Sequence, residues 1–227
     1  MHTLYKILLA LHVAGGAIGL VCGTIATAVV KGRKAHLLNG KLFFWAMLLA
    51  SISALVISRM PGHENIFLFA IGGFTIYMIG TGYRMVLLKR HNMHNHNPYT
   101  RVDYSLFFFG TGFGLFLLVL AATRVAKGDM FSLVPAVFGL ICLAYARADY
   151  AIISGKKTIK QFWLYNHIIR MMGALIASYT AFLVVNIQIP MQWILWLLPT
   201  VLGSVLIARF IRKYARPKTA SAVIRKE

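Results

Sequence analysis

The sequence predicts an all-α protein: a polytopic membrane helical bundle of seven transmembrane helices, with the N-terminus outside and the C-terminus cytoplasmic. Three observations carry this expectation. Of the 227 residues, 59% are hydrophobic and only 13% charged, and the mean hydropathy of +0.72 exceeds what a water-soluble domain with one core needs. The apolar residues fall into seven runs of about 20, the helical length that crosses a hydrocarbon layer of roughly 30 Å. The 24 Lys and Arg stand in short clusters between those runs, mostly on alternate connections.

The runs cover approximately 7–30, 42–58, 66–88, 104–123, 130–153, 162–185 and 191–208. The first is continuous with the start of the chain and too long for a cleaved signal sequence, so it is read as a retained helix. Bases on one side comprise Lys31, Arg33, Lys34 and Lys41; Arg84, Lys89, Arg90 and Arg101; Arg147, Lys156, Lys157 and Lys160; and seven in the tail from Arg209 onward. The opposite connections hold only Lys6, Arg59, Arg124 and Lys127. The side rich in Lys and Arg is expected to be cytoplasmic, which sets the orientation.

No hydrophilic stretch is long enough to fold separately, so 1–227 reads as a single membrane domain ending in a basic cytoplasmic tail, 213–227. The net charge of +19 is then an orientation signal, with no nucleic acid required. Bases so near a membrane attract anionic lipid headgroups, by about 1 kcal/mol each. The expected partners are membrane lipids and, beyond them, a membrane-complex partner or further copies of the chain; the expected location is a bacterial inner membrane. Cys22 and Cys142 both lie in apolar runs, where a thiol acts as a small hydrophobe.

On the first span, Tyr5, His12, Gly16, Gly19 and Gly23 share one side of a helix. The glycines either allow close helix packing or leave room for a flat cofactor held by His12. On the third, His63, Ala70, Tyr77 and Arg84 recur every seven residues, with Gly73 and Gly80 between them. Pro61 and Gly62 break the chain before His63, which is expected at a depth similar to His12. The sixth span carries Asn166, His167 and Arg170 in its first third. A buried arginine costs about 2.5–3.5 kcal/mol on insertion scales, so Arg170 is expected to meet Asp103, Asp149 or Tyr150, or else the anionic group of a ligand. The lead into the second span, KGRKAHLLNGKLFFW, sets His36 and Gly40 four apart.

The four helix-end histidines pair by depth, His12 with His63 outside and His36 with His167 inside, each pair near a base. That pattern suits axial ligation of two stacked b-type haems, with Arg84 and Arg170 toward propionates and Tyr77 lining the site. His91, His94 and His96 form an HxxHxH spacing read as a solvated loop in preference to a metal site. No HExxH, GxSxG, phosphate-binding glycine loop or paired catalytic carboxylate occurs, which leaves hydrolase and nucleotide-binding readings without residues.

Three stretches, HLLNGKLFFWAMLLASISAL, PGHENIFLFAIGGFTIYMIGTGYR and HIIRMMGALIASYTAFLVVN, resemble the bacterial predicted-membrane-protein family known as domain of unknown function 2306, over nearly the whole chain. The resemblance is carried by the basic, His- and Gly-containing lead into the second span, by GH followed by a Phe/Gly-rich helix ending in GYR, and by HxxRM in the sixth. It touches His36, Gly40, His63, Gly82, Tyr83, Arg84, His167, Arg170 and Met171. It implies the fold, and the family carries no assigned reaction. Two classes of function therefore stand at this point: a small haem b redox protein, and a membrane binding or transport protein for an anionic small molecule or lipid. An accessory subunit, whose histidines and arginines fasten its own helices, is the third.

Overall fold

A computed structural model describes residues 2–91, 99–129, 132–156 and 159–215. Among them the chain is all helical, with seven helices: α1 His2–Ala28, α2 Lys34–Ile57, α3 Ile66–His91, α4 Arg101–Val125, α5 Leu133–Ile153, α6 Ile159–Asn186 and α7 Trp193–Phe210, the last closed by a π turn, Ile211–Ala215. Each is long and apolar enough to cross a bilayer, and the chain is built as a multi-pass membrane protein. His94, His96 and the tail beyond Ala215 lie outside the described residues; of His91 only the backbone, closing α3, belongs to them.

The helices overrun the apolar runs at several ends. α2 begins eight residues before the expected span, so His36 and Gly40 sit inside the helix and not in a lead-in loop. Backbone amides at the membrane boundary must find partners, and continuing the helix satisfies them within the segment. Among the described residues, four glycines in the connections between helices take positive φ: Gly32, Gly62, Gly128 and Gly155. Gly62 (φ 77°) lets the chain reverse between α2 and α3 in a conformation that a Cβ would resist.

α3 is the central helix, packed against α2, α4, α5 and α6, while α1 lies on α2 and α7 on α6. The core gathers Phe43 and Met47 of α2, Phe74, Tyr77 and Met78 of α3, Cys142 of α5 and Leu175 of α6. Small residues set how closely the helices approach. A Cβ on Gly139 would stand 2.9 Å from the Gly114 carbonyl oxygen, so α4 and α5 cross backbone to backbone. On α1, Met47 and Phe43 of α2 fill the space over Gly19 and Gly23, and Gly15 faces the Ala46 carbonyl. The glycine face of α1 is therefore a packing seam, and the room expected there for a flat cofactor is taken by α2; only Gly16 faces open space. Gly73 and Gly80 are covered in the same way by Phe113 and Leu106.

One end of the bundle carries Lys31, Lys34, Arg84, Lys89, Lys156 and Lys213, and is called the basic end below. Lys89 lies 4.0 Å over the Trp163 ring, joining α3 to α6, and the Tyr99 hydroxyl donates to the Ile152 carbonyl at 2.8 Å, joining the lead into α4 to α5.

Candidate functional site

The polar chemistry of the bundle is concentrated toward its basic end, on α3, α5 and α6. Arg170 is wholly buried, at 0% exposure, on the face of α6 that meets α3 and α5. Its Nη2 donates to Asp149 Oδ1 at 2.6 Å and to the Tyr145 carbonyl at 3.3 Å, and Nη1 donates to Asp149 Oδ2 at 3.1 Å. The Tyr77 hydroxyl donates to the same Oδ2 at 2.5 Å. The guanidinium also lies 5.8 Å from the Tyr77 ring and 5.1 Å from that of Tyr145, a cation–π enclosure. Among the described residues, Arg170 Nε is the one buried side-chain polar atom left without a partner. Of the three partners expected for Arg170, Asp149 is the one it meets.

Arg84 makes a second pair. Its Nε and Nη2 donate to the two oxygens of Asp103 at 2.8 and 2.6 Å, a bidentate fork, and Nη2 reaches Thr100 Oγ1 at 3.2 Å. Asp103 meanwhile accepts the Thr100 backbone N–H at 2.8 Å and its hydroxyl at 2.9 Å. One carboxylate thus opens α4 as the N3 member of a capping box and neutralises a base from α3. Between the two ion pairs lies a cavity of about 20 Å³ bordered by Thr81, Arg84, Asp103 and Asp149, room for about one water molecule and far too little for a metabolite.

The histidines divide. His167 donates from Nδ1 to the Gly82 carbonyl of α3 at 2.9 Å, His36 from Nδ1 to the Ala26 carbonyl of α1 at 3.0 Å, and His12 from Nδ1 to the Ala50 carbonyl of α2 at 2.8 Å. A carbonyl oxygen can only accept, so each Nδ1 carries the proton, and in the neutral ring Nε2 keeps its lone pair. His36, near the start of α2, and His167, in the first third of α6, both lie toward the basic end, and no atom lies within 4 Å of where a Cβ would sit on Gly40, one turn from His36. At the opposite end, His63 is exposed and stacks flat on Tyr5, with ring centroids 3.7 Å apart and planes inclined by 8°. Tyr5 precedes His12 by two turns of α1, about 10 Å of rise. Among the described residues no hydrogen bond or ring contact joins His12 to His63.

The structure thus brings Tyr77 and Arg170 together, holds Arg84 in a neighbouring pair, and sets His36 and His167 on the two helices that flank the chain around Gly82. Sequence reasoning passed over Thr100, Tyr99 and Tyr145. It had the means to rank Asp103 and Asp149 higher: a chain with five acids that commits two of them to membrane helices must pair both. Among the described residues no group of three or more His, Cys, Asp or Glu is gathered as for a metal ion. No family model, curated protein or solved structure matches this chain.

Proposed function

We propose that this is a small redox protein of a bacterial cytoplasmic membrane, with its basic end in the cytoplasm, that binds b-type haem between His36 and His167. The single observation that carries the reading is the pair of Nδ1–H···O=C bonds to Ala26 and Gly82. An axial histidine needs its other ring nitrogen held by an acceptor, which fixes the ring and the tautomer and leaves Nε2 for iron. Gly40, one turn from His36, has no atom within 4 Å of where a Cβ would sit, which supports the reading by leaving that turn of α2 uncrowded. Haem would supply one-electron transfer; the protein would supply ligation, orientation and a low-dielectric surround that sets the potential.

The reading assigns different work to the arginines than propionate binding. Arg84 and Arg170 are already matched by Asp103 and Asp149, so they fasten helices, and propionates fall to exposed bases of the same end such as Lys34. His12 has the same tautomer, and a second haem at the opposite end requires His63 to leave Tyr5. The family resemblance in the second, third and sixth spans belongs to the same proposal, since it touches His36, Gly82 and His167 together.

The test is the absorption spectrum of detergent-purified protein from cells supplied with ample haem, before and after dithionite. A Soret band with reduced α and β bands is expected, lost in His36→Ala and in His167→Ala and kept in Arg84→Ala. Colourless wild-type protein overturns the proposal, and so does a full spectrum in both histidine variants.

A further inference from the structure

On the side of the bundle away from the ion pairs, α1, α6 and α7 enclose an apolar groove of about 290 Å³. It is roughly twice the ~150 Å³ that admits a benzene-sized molecule. Thr24, Met172, Leu175, Leu198, Leu202 and Leu206 are among its walls. From Leu198 to Leu206 it follows α7 for about 12 Å of rise. Its hydroxyls already have partners: Thr24 Oγ1 donates to the Leu20 carbonyl and lies 2.5 Å from the Tyr179 hydroxyl, and Thr27 Oγ1 donates to the Gly23 carbonyl at 2.9 Å. The groove therefore offers an occupant methylene contacts and no free donor, which suits a hydrocarbon chain.

Its mouth at the basic end has the opposite character. Lys31 follows Thr27 by one turn and lies 4.6 Å over the ring of Phe210, which follows Leu206 by one turn. Lys31 also donates to the carbonyls of Ala26, Thr27 and Val29, closing α1. Lys213 stands near it, and burial together with this second cation lowers the Lys31 pKa from its ordinary value. Arg209 and Lys213 are exposed beside them. Of the four described acids, Asp103 and Asp149 are consumed by Arg84 and Arg170, and Glu64 and Asp129 lie at the other end. Among the described residues nothing balances this cluster.

We propose that the groove binds one acyl chain of an anionic glycerophospholipid, with the lipid phosphate held by Arg209 and Lys213 and drawn by the charge of Lys31, whose own three N–H donors stay on the end of α1. Apolar length and uncompensated charge meet at one edge, in the order in which a phospholipid carries them. A zwitterionic lipid would fill the groove and bring its own cation into the cluster, so selectivity for the anion comes from like-charge repulsion as well as attraction.

Native mass spectrometry of the full chain in detergent, titrated with phosphatidylglycerol or with phosphatidylcholine of the same acyl composition, tests this without reference to haem. One phosphatidylglycerol per chain is expected, held at least tenfold more tightly than phosphatidylcholine. Lys31→Gln with Lys213→Gln should erase the preference, and Lys31→Arg, which keeps the charge, should retain it. Leu202→Trp, which fills the groove, should weaken both lipids about tenfold. Variants are compared only where elution and melting match the wild type; Leu198→Trp serves if Leu202→Trp does not fold. Equal retention of the two lipids overturns the proposal. So does phosphatidylglycerol binding unchanged by a groove-filling variant, which would mean adsorption to the basic surface, and so does a dimer that the groove-filling variants dissociate, which would give the groove to a second copy.

Discussion

Removing Asp149 should destabilise the protein more than removing its partner, and removing both should cost less than either. In the wild type, Asp149 accepts three hydrogen bonds, at 2.5, 2.6 and 3.1 Å, from Tyr77 and Arg170. Asp149→Leu deletes all three and leaves a guanidinium at 0% exposure with the Tyr145 carbonyl and two aromatic faces as its remaining company. A guanidinium cannot shed its proton to escape. Breaking a buried pair from one side costs about 3–5 kcal/mol, and this variant should fall at the upper end. Arg170→Met leaves a carboxyl that still receives the Tyr77 hydroxyl and can take up a proton, so it should fall near 3 kcal/mol. The double variant Asp149→Leu/Arg170→Met replaces the pair by apolar groups and should lose less than about 2 kcal/mol, because the desolvation of both charges disappears with their attraction. Equilibrium unfolding in mixed detergent micelles, read by circular dichroism, gives the three values and their coupling. A loss below about 1 kcal/mol for Asp149→Leu, or a double variant as unstable as the worse single one, would refute the claim that the two charges of this pair depend on each other.

Three further outcomes are expected. Gly139→Ala should destabilise by about 1–3 kcal/mol because its methyl would meet the Gly114 carbonyl oxygen at 2.9 Å, whereas Gly112→Ala, with nothing within 4 Å, should be neutral within about 0.5 kcal/mol; the same unfolding assay reads both. Arg84→Lys keeps the charge but loses the fork onto Asp103, so it should cost about 1–2 kcal/mol, most of what Arg84→Gln costs; if lysine restores wild-type stability, the bidentate geometry is irrelevant. Reporter fusions at the carboxyl terminus should be active only in the cytoplasm, with an odd number of spans placing the amino terminus on the other side; periplasmic activity would reverse the assignment of the basic end.

Composition and hydropathy suffice to give the solvent and the element list. Seven apolar runs give seven helices because backbone amides in hydrocarbon have no partner outside their own segment, and periodicity needs no tertiary information to reveal them. Their ends were less legible: α2 starts at Lys34 and not at Leu42, since lysine and histidine at the interface tolerate helix as well as loop. The pairings depend on how the helices pack. The spacing of His12, Gly19 and Gly23 is the same whether a cofactor or another helix covers that face, and Met47 and Phe43 settle it for packing. Depth put Arg170 level with Asp103, Asp149 and Tyr150; the packing of α5 against α3 and α6 turned Asp149 inward at 5% exposure and Tyr150 outward at 51%. Likewise His36 and His167 were matched by depth alone, while their Nδ1 partners, Ala26 and Gly82, are backbone carbonyls, which every residue carries and no sequence can single out.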